Sequence, residues 1–373
     1  MADVAGIAGV LVILIVLWDA FETMVLPRRV TRRLRLTRII VISGWKVWRI
    51  VARRTRHRPR REALLSYFGP LAVIALFGIW ALGLIVGFAL LQTAFGSRLA
   101  APEGAARFGT DLYMSGTTFF TLGLGDVVPR SAPARFITVL ESGLGLGFLA
   151  LVISYLPVLY QGFSRRETRV SLLDAWAGSP PTAGELLRRL GPDGRDTLLA
   201  PFLQEWELWS AQLLESMISY PILGYFRSQH DNQSWLSALT AVLDTCAVLI
   251  SSVEDAPVRS ASLTFAMARH AVVDLCQILG APPRFPSRDR LPPADRARLW
   301  AQLSAAGLAM RDDAASAARM QELREMYEPY VHGLARRLLL PLPPWLPADG
   351  VRDNWQRTAW RSIGTEHDEP DDR

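Results

Sequence analysis

From Ala63 to Phe95 the chain carries no Asp, Glu, Lys, Arg or His. About 20 apolar residues cross a bilayer as a helix, and this run is longer, so it can cross at a tilt. No other feature restricts the fold as strongly. A second run, Phe136 to Phe163, holds one charge, Glu141. A third, Val4 to Leu26, is apolar until Asp19 and Glu22 near its end. It begins beside Asp3 and has neither a basic leading region nor a small-residue cleavage site, so it reads as a span and not as a removable leader.

Charge sets the direction of the spans. Between Arg28 and Arg61 there are 13 Arg and one Lys, with no acid until Glu62. Such an excess beside membrane spans belongs on the cytoplasmic side. The N-terminus is therefore expected outside, with 63–95 running outward and 136–163 returning to the cytoplasm at "SRRETR". The expected location is a bacterial inner membrane. Within the basic segment, Ile39 to Val51 is too short to span. Its Trp45, Lys46, Trp48 and Arg49 suit a helix lying in the membrane surface. Anionic lipid is the expected partner of 28–61, and nucleic acid is not. Asp19 and Glu22 share one helical face, and their expected role is anchoring through Arg28 and Arg29. Gating or proton sensing is the alternative, because acids at membrane depth are costly and often functional.

Between the outgoing and returning runs lies "LYMSGTTFFTLGLGDVVP", Leu112 to Pro129. Backbone that is not helical is tolerated at membrane depth only where protein or a water-filled path satisfies its polar groups. The segment is either an outer loop or a re-entrant lining. Its residues favour the lining. Phe108 to Phe120 reads as a short helix whose negative C-terminal end, aimed inward, favours a cation. After it, glycines alternate with side-chained residues, and glycine accepts positive φ at little cost. Such a strand can point successive carbonyls one way, and rows of carbonyls replace an ion's hydration shell.

This segment resembles the pore helix and selectivity filter of the potassium-channel pore-loop family, whose filter reads T-V-G-Y-G-D. Thr121 matches the filter threonine, Gly123 and Gly125 its glycines, and Asp126 the aspartate of the outer mouth. The resemblance covers roughly Ala63 to Phe163. It implies a homotetramer, since the chain holds one such segment. It also implies ion sites at Thr121, Leu122, Gly123, Leu124 and Gly125, with Asp126 concentrating cations at the mouth. Three positions depart from the pattern. Leu124 stands where the family has tyrosine or phenylalanine, Met114 is the pore-helix residue expected to answer it, and Phe120 replaces a threonine. Met114 and Phe120 are thus the expected filter supports. Gly145, nineteen residues after Asp126, falls near the family's hinge glycine. Pro157, lacking an N–H, is expected to kink or end the inner helix. Potassium conduction is the implied function, with no cofactor beyond the permeant ion. A weakly selective cation channel and a non-conducting receptor or scaffold that retains the pore fold are the alternatives.

The remainder has helical periodicity, as in "SWLSALTAVLDTCAVLISSV", with Pro and Gly clusters as breaks. Ser234 is an expected helix start. There is no alternation of strand and helix, and no phosphate loop, nucleophile elbow or HExxH motif, so no enzyme is expected. Cys246 and Cys276 read as reduced and buried. His230 with Asp231, and His270 with Asp274, read as a cap and a core histidine, not as metal ligands. What ligand this part takes is not legible. The fold class is an all-α membrane protein, with a two-helix pore-loop module after an N-terminal transmembrane helix and before an α-helical cytoplasmic domain. The expected parts are the first span at 1–27, the basic segment at 28–62 and a pore domain at 63–164. That domain holds an outer helix 63–95, pore helix 108–120, filter 121–126 and inner helix 134–163. The cytoplasmic domain is 165–340, followed by a Pro-rich, acidic and partly disordered tail at 341–373.

Overall fold

A computed structural model describes residues 2–26, 35–95, 99–100, 108–194, 198–229, 232–286 and 288–347. His230, Asp231, Arg28, Arg29 and the tail beyond 347 lie outside the described residues. The described residues are mostly helical, and the chain divides into two compact units, Met1–Gln161 and Gly162–Arg373.

In the first unit, α1 (Ala2–Ala20) continues as a wider turn over Phe21–Val25. It is followed by α2 (Leu36–Arg54) and α3 (Arg58–Ala94). Helix α3 begins in the basic stretch, ahead of the apolar run, because Pro59 suits a first helical turn. α1 lies antiparallel on α3, and glycine makes the approach possible. A Cβ on Gly9 would stand 2.7 Å from the Gly87 carbonyl oxygen, and one on Gly83 would stand 2.8 Å from Val16. Small residues at such crossings let helices meet closely in a membrane. The shared core holds Ile13, Val16, Trp80, Leu84, Phe88, Phe119 and Ile137.

Among the described residues Asp19 and Glu22 bond groups of α1, α2, α3 and Arg35, while the expected partners Arg28 and Arg29 lie outside those residues. Asp19 is buried and accepts from the Thr37 N–H (3.0 Å), the Thr37 hydroxyl (2.5 Å) and Trp80 Nε1 (2.9 Å). Glu22 accepts from Trp18 Nε1 at 2.8 Å and pairs with Arg35 at 3.4 Å. The anchoring thus runs through α2 and α3. A carboxylate at the first turn of α2 also opposes the positive end of that helix.

Helix α4 (Phe108–Phe119) and the glycine segment follow, and a two-residue ladder pairs β1 (Leu99–Ala100) with β2 (Val128–Pro129). Helix α5 then runs from Ala132 to Ala177. The expected inner helix, 134–163, is corrected to a longer one: of the two roles expected of Pro157, a kink or an end, the end is excluded, because the helix passes through it and on for twenty residues. A proline inside a helix removes a single backbone bond, and the apolar residues on either side continue the helix. Pro70 sits inside α3 in the same way.

The second unit contains the C-terminal part of α5, then α6 (Ala183–Gly194), α7 (Ala200–Ser219), α8 (Trp235–Ser252), α9 (Val258–Ile278), α10 (Pro293–Ala305) and α11 (Ala314–Leu338). α8 is its centre. Every residue of it is buried except the half-buried Ile250. Ser234 caps it, accepting from the Ser237 N–H at 2.9 Å. The length and apolarity of α8 match a membrane span, but here the surrounding helices take up that apolar surface. Beside it Arg290 donates to Asp244 at 2.6 Å and pairs with Glu328 at 3.4 Å, while Tyr327 also donates to Asp244. Both cysteines are free and buried, and burial pushes the Cys276 thiol up to about 12. Among the described residues no group of three or more His, Cys, Asp or Glu is placed to hold a metal, and His270 is exposed.

Candidate functional site

Helix α4 ends at Phe119, and the chain tightens over its last turn. The N–H groups of Phe120, Thr121 and Leu122 donate back to the carbonyls of Gly116 (3.1 Å), Thr118 (3.0 Å) and Thr117 (2.8 Å). Beyond this turn the backbone alternates. Thr121, Gly123 and Gly125 have φ of 57°, 55° and 78°, whereas Leu122 and Leu124 do not take positive φ. In an extended strand successive carbonyls point to opposite sides. Alternation of left- and right-handed residues brings them to one side. Nothing lies within 4 Å of a Cβ built on Gly123 or Gly125, so the backbone conformation, and not crowding, calls for glycine there. Thr121 takes the same left-handed form without being glycine, at about 1–2 kcal/mol. Every residue from Phe120 to Asp126 is exposed in the protomer, Leu122 at 62% and Leu124 at 63%.

Of the residues marked in the sequence, Met114 is buried and leaves Leu124 uncovered within one protomer. Phe120 is exposed and meets the Phe119 ring edge-on, with centroids 5.3 Å apart. Asp126 is held by the Tyr113 hydroxyl, which donates to it at 2.9 Å. Gly145 has a tighter reason to be glycine than hinge motion, since a Cβ there would stand 2.2 Å from the Phe119 carbonyl oxygen. Pro157 lies in unbroken helix.

Sequence reasoning missed the polar side chains that tie α3 to α4 and α5. Thr93 of α3 donates to Asp111 at 2.6 Å. Gln92 of α3 reaches the Ala134 carbonyl (3.3 Å) and the Thr138 hydroxyl (3.1 Å) of α5. The Ser115 hydroxyl lies 2.7 Å from the Ile85 carbonyl oxygen and also bonds Glu141. A polar residue inside an apolar run is itself the signal, because such groups must find partners in a membrane.

Residues 73–161 match a protein family described as ion channel. The chain is also similar to an uncharacterized membrane protein, YdjJ of Bacillus subtilis (strain 168). The two are 27% identical over 186 residues, which is 48% of this chain and 52% of that protein. The chain thus spans about half the length of that relative. No solved structure matches it. The match covers most of α3, all of α4, the glycine segment and α5 as far as Gln161, so over these residues the chain is similar to ion channels.

Proposed function

We propose that four copies of this chain enclose a potassium pathway, lined by main-chain oxygens of Thr121, Leu122, Gly123, Leu124 and Gly125 and by the Thr121 hydroxyl. The observation that carries this reading is the positive φ at Thr121, Gly123 and Gly125. At Thr121, which is not glycine, this conformation is strained, and such strain gathers at functional sites. Exposure supports assembly. Phe120, Leu122 and Leu124 are large apolar side chains left bare on a single protomer, as expected of a surface that meets further copies. Asp126 raises the local cation concentration at the mouth. The pathway needs no cofactor beyond the permeant ion.

Purified protein in liposomes tests the reading. Potassium-driven flux that Gly123→Ala abolishes, with the protein still folded, supports it. Absence of flux in wild type supports a non-conducting scaffold. Leu124 supports a second reading, weak selectivity among cations, since it offers no hydroxyl to brace the filter. The reversal potential with potassium and sodium on opposite sides separates the two.

Helix α2 supports the membrane part of this reading. Val41, Trp45 and Ala52 of this helix are buried, Trp45 and Trp48 meet Phe68 of α3, and Trp48 donates to the Leu64 carbonyl at 2.9 Å. Its other side exposes Ile39, Val47, Ile50 and Val51 next to the exposed Arg38, Lys46 and Arg53. An apolar stripe beside a basic one suits a helix in the surface of an anionic leaflet. This pattern supports the reading in which the basic segment and the helical second unit lie on the cytoplasmic side of a bacterial inner membrane, the second unit modulating the pore.

A further inference from the structure

Glu141 is the single charge-bearing residue between Phe136 and Phe163, and conduction through main-chain oxygens gives it nothing to do. It is buried on α5 beside Ser115 of α4, also buried. The Ser115 hydroxyl bonds Glu141 Oε1 and lies 2.7 Å from the carbonyl oxygen of Ile85 on α3. A hydroxyl has one hydrogen to give, while a carbonyl and an ionised carboxylate can only accept. Two acceptors therefore face one proton. Both are satisfied only if the carboxyl brings a hydrogen of its own.

We propose that Glu141 sits in the folded protein as a neutral carboxylic acid. It donates to Ser115, which in turn donates to Ile85, and this chain makes Glu141 a positioning residue for the pore helix. The contrast with Asp19 supports the assignment. Asp19 is surrounded by donors, two N–H groups and a hydroxyl, as an ionised acceptor requires. Among the described residues Ser115 is the one hydrogen-bond partner of Glu141, and no cation pairs with it. A charge buried with so little compensation is costly.

The chain crosses three elements, α5 to α4 to α3, behind the segment that leads to Thr121. One turn further along, Gly145 of α5 meets Phe119 of α4. The pairs 141 with 115 and 145 with 119 advance together by four residues, so α4 and α5 run parallel here and are held at two successive turns. Phe119 precedes Thr121 by two residues. Loss of the Glu141 contact therefore loosens the base of the glycine segment.

The effect on ion flow rests on the proposed pore, and the protonation state does not. Infrared difference spectra of full-length wild type and Glu141→Gln at neutral pH report the second directly. A protonated-carboxyl C=O stretch that is lost in the variant supports the proposal, and its absence from wild type overturns it. Liposome recordings report the first. Gln keeps the shape and an N–H donor, so Glu141→Gln retains the wild-type cation permeability ratio. Glu141→Ala and Ser115→Ala each change it by roughly two- to tenfold, and the double variant changes it no further than either single one. If Glu141→Gln shifts the ratio as far as Glu141→Ala, the donor role is overturned. A wild type without flux overturns the pore reading and leaves the infrared result to decide the hydrogen-bond chain.

Discussion

The carbonyl oxygen of Phe119 occupies the space that any side chain on Gly145 would need, 2.2 Å from the position of a Cβ. Backbone cannot yield as a flexible side chain can. Gly145→Ala must therefore separate α5 from the end of α4, and overpacking of this kind costs about 1–3 kcal/mol. A lower melting temperature of the detergent-solubilised protein, together with reduced flux, is the expected result. Gly143 and Gly147 have nothing within 4 Å of a built Cβ inside the protomer. Alanine at either leaves the melting temperature close to wild type, and an equal loss at all three positions would refute the contact argument.

Asp19 joins three helices of the first unit. Removal of its carboxylate leaves the buried Trp80 Nε1 and the half-buried Thr37 N–H without this acceptor. Asp19→Ala is expected to destabilise by about 1–3 kcal/mol, and Trp80→Phe by about 1 kcal/mol. Thermal unfolding of the single and double variants should give a coupling between them, because they remove the same bond. Simple additivity would mean that the bond contributes nothing.

Arg290 and Asp244 form the buried pair at the centre of the second unit, Asp244 being fully inaccessible. Burial opposes the charge on Arg290, but Asp244 beside it holds the guanidinium more firmly protonated than usual. Arg290→Leu strands Asp244 without its cation, and breaking a buried pair from one side costs about 3–5 kcal/mol. Arg290→Leu with Asp244→Leu should recover part of that loss in a melting experiment. No recovery would show that the pair is not the main consequence of the substitution.

His332 makes the second unit sensitive to acid. Burial, and then the nearby charge of Arg290, lower its pKa from 6.5 to about 4. The unfolded chain binds this proton as pH falls through 6.5, whereas the folded chain binds it only near 4. Stability is therefore full above 6.5, declines between 6.5 and about 4, and loses nothing further from this group below that. Melting temperatures of full-length wild type and His332→Gln should converge across this window as the pH is lowered. Parallel curves would exclude His332 as the source.

The parts of this architecture that were legible in the sequence rest on local physics. An uncharged run as long as 63–95 has few alternatives to crossing a bilayer, and glycines alternating with Thr121, Leu122 and Leu124 restrict the backbone wherever they fold. Pairings across long sequence separations were not legible. Asp19 and Trp80 are 61 residues apart, and nothing near Asp19 singles out that tryptophan over the basic residues of the next few positions. Tyr113 reaches Asp126 across thirteen residues, and nothing in its neighbourhood in the sequence marks it over Met114. The expected end of α5 near 163 rests on the charged run "SRRETR", yet charged residues continue a helix once it has left the membrane, and α5 runs on to Ala177. The apolar character of α8 reflects complete burial in a helical unit, and composition does not separate that from a span.

The measurement that tests the central claim most directly is a density map of the full-length protein reconstituted in potassium. The account predicts four copies around one axis, with the carbonyl oxygens of Thr121 to Leu124 facing it and cation density between successive rings. Carbonyls turned away from one another, or Leu122 to Gly125 packed against lipid with no ion between copies, would contradict it.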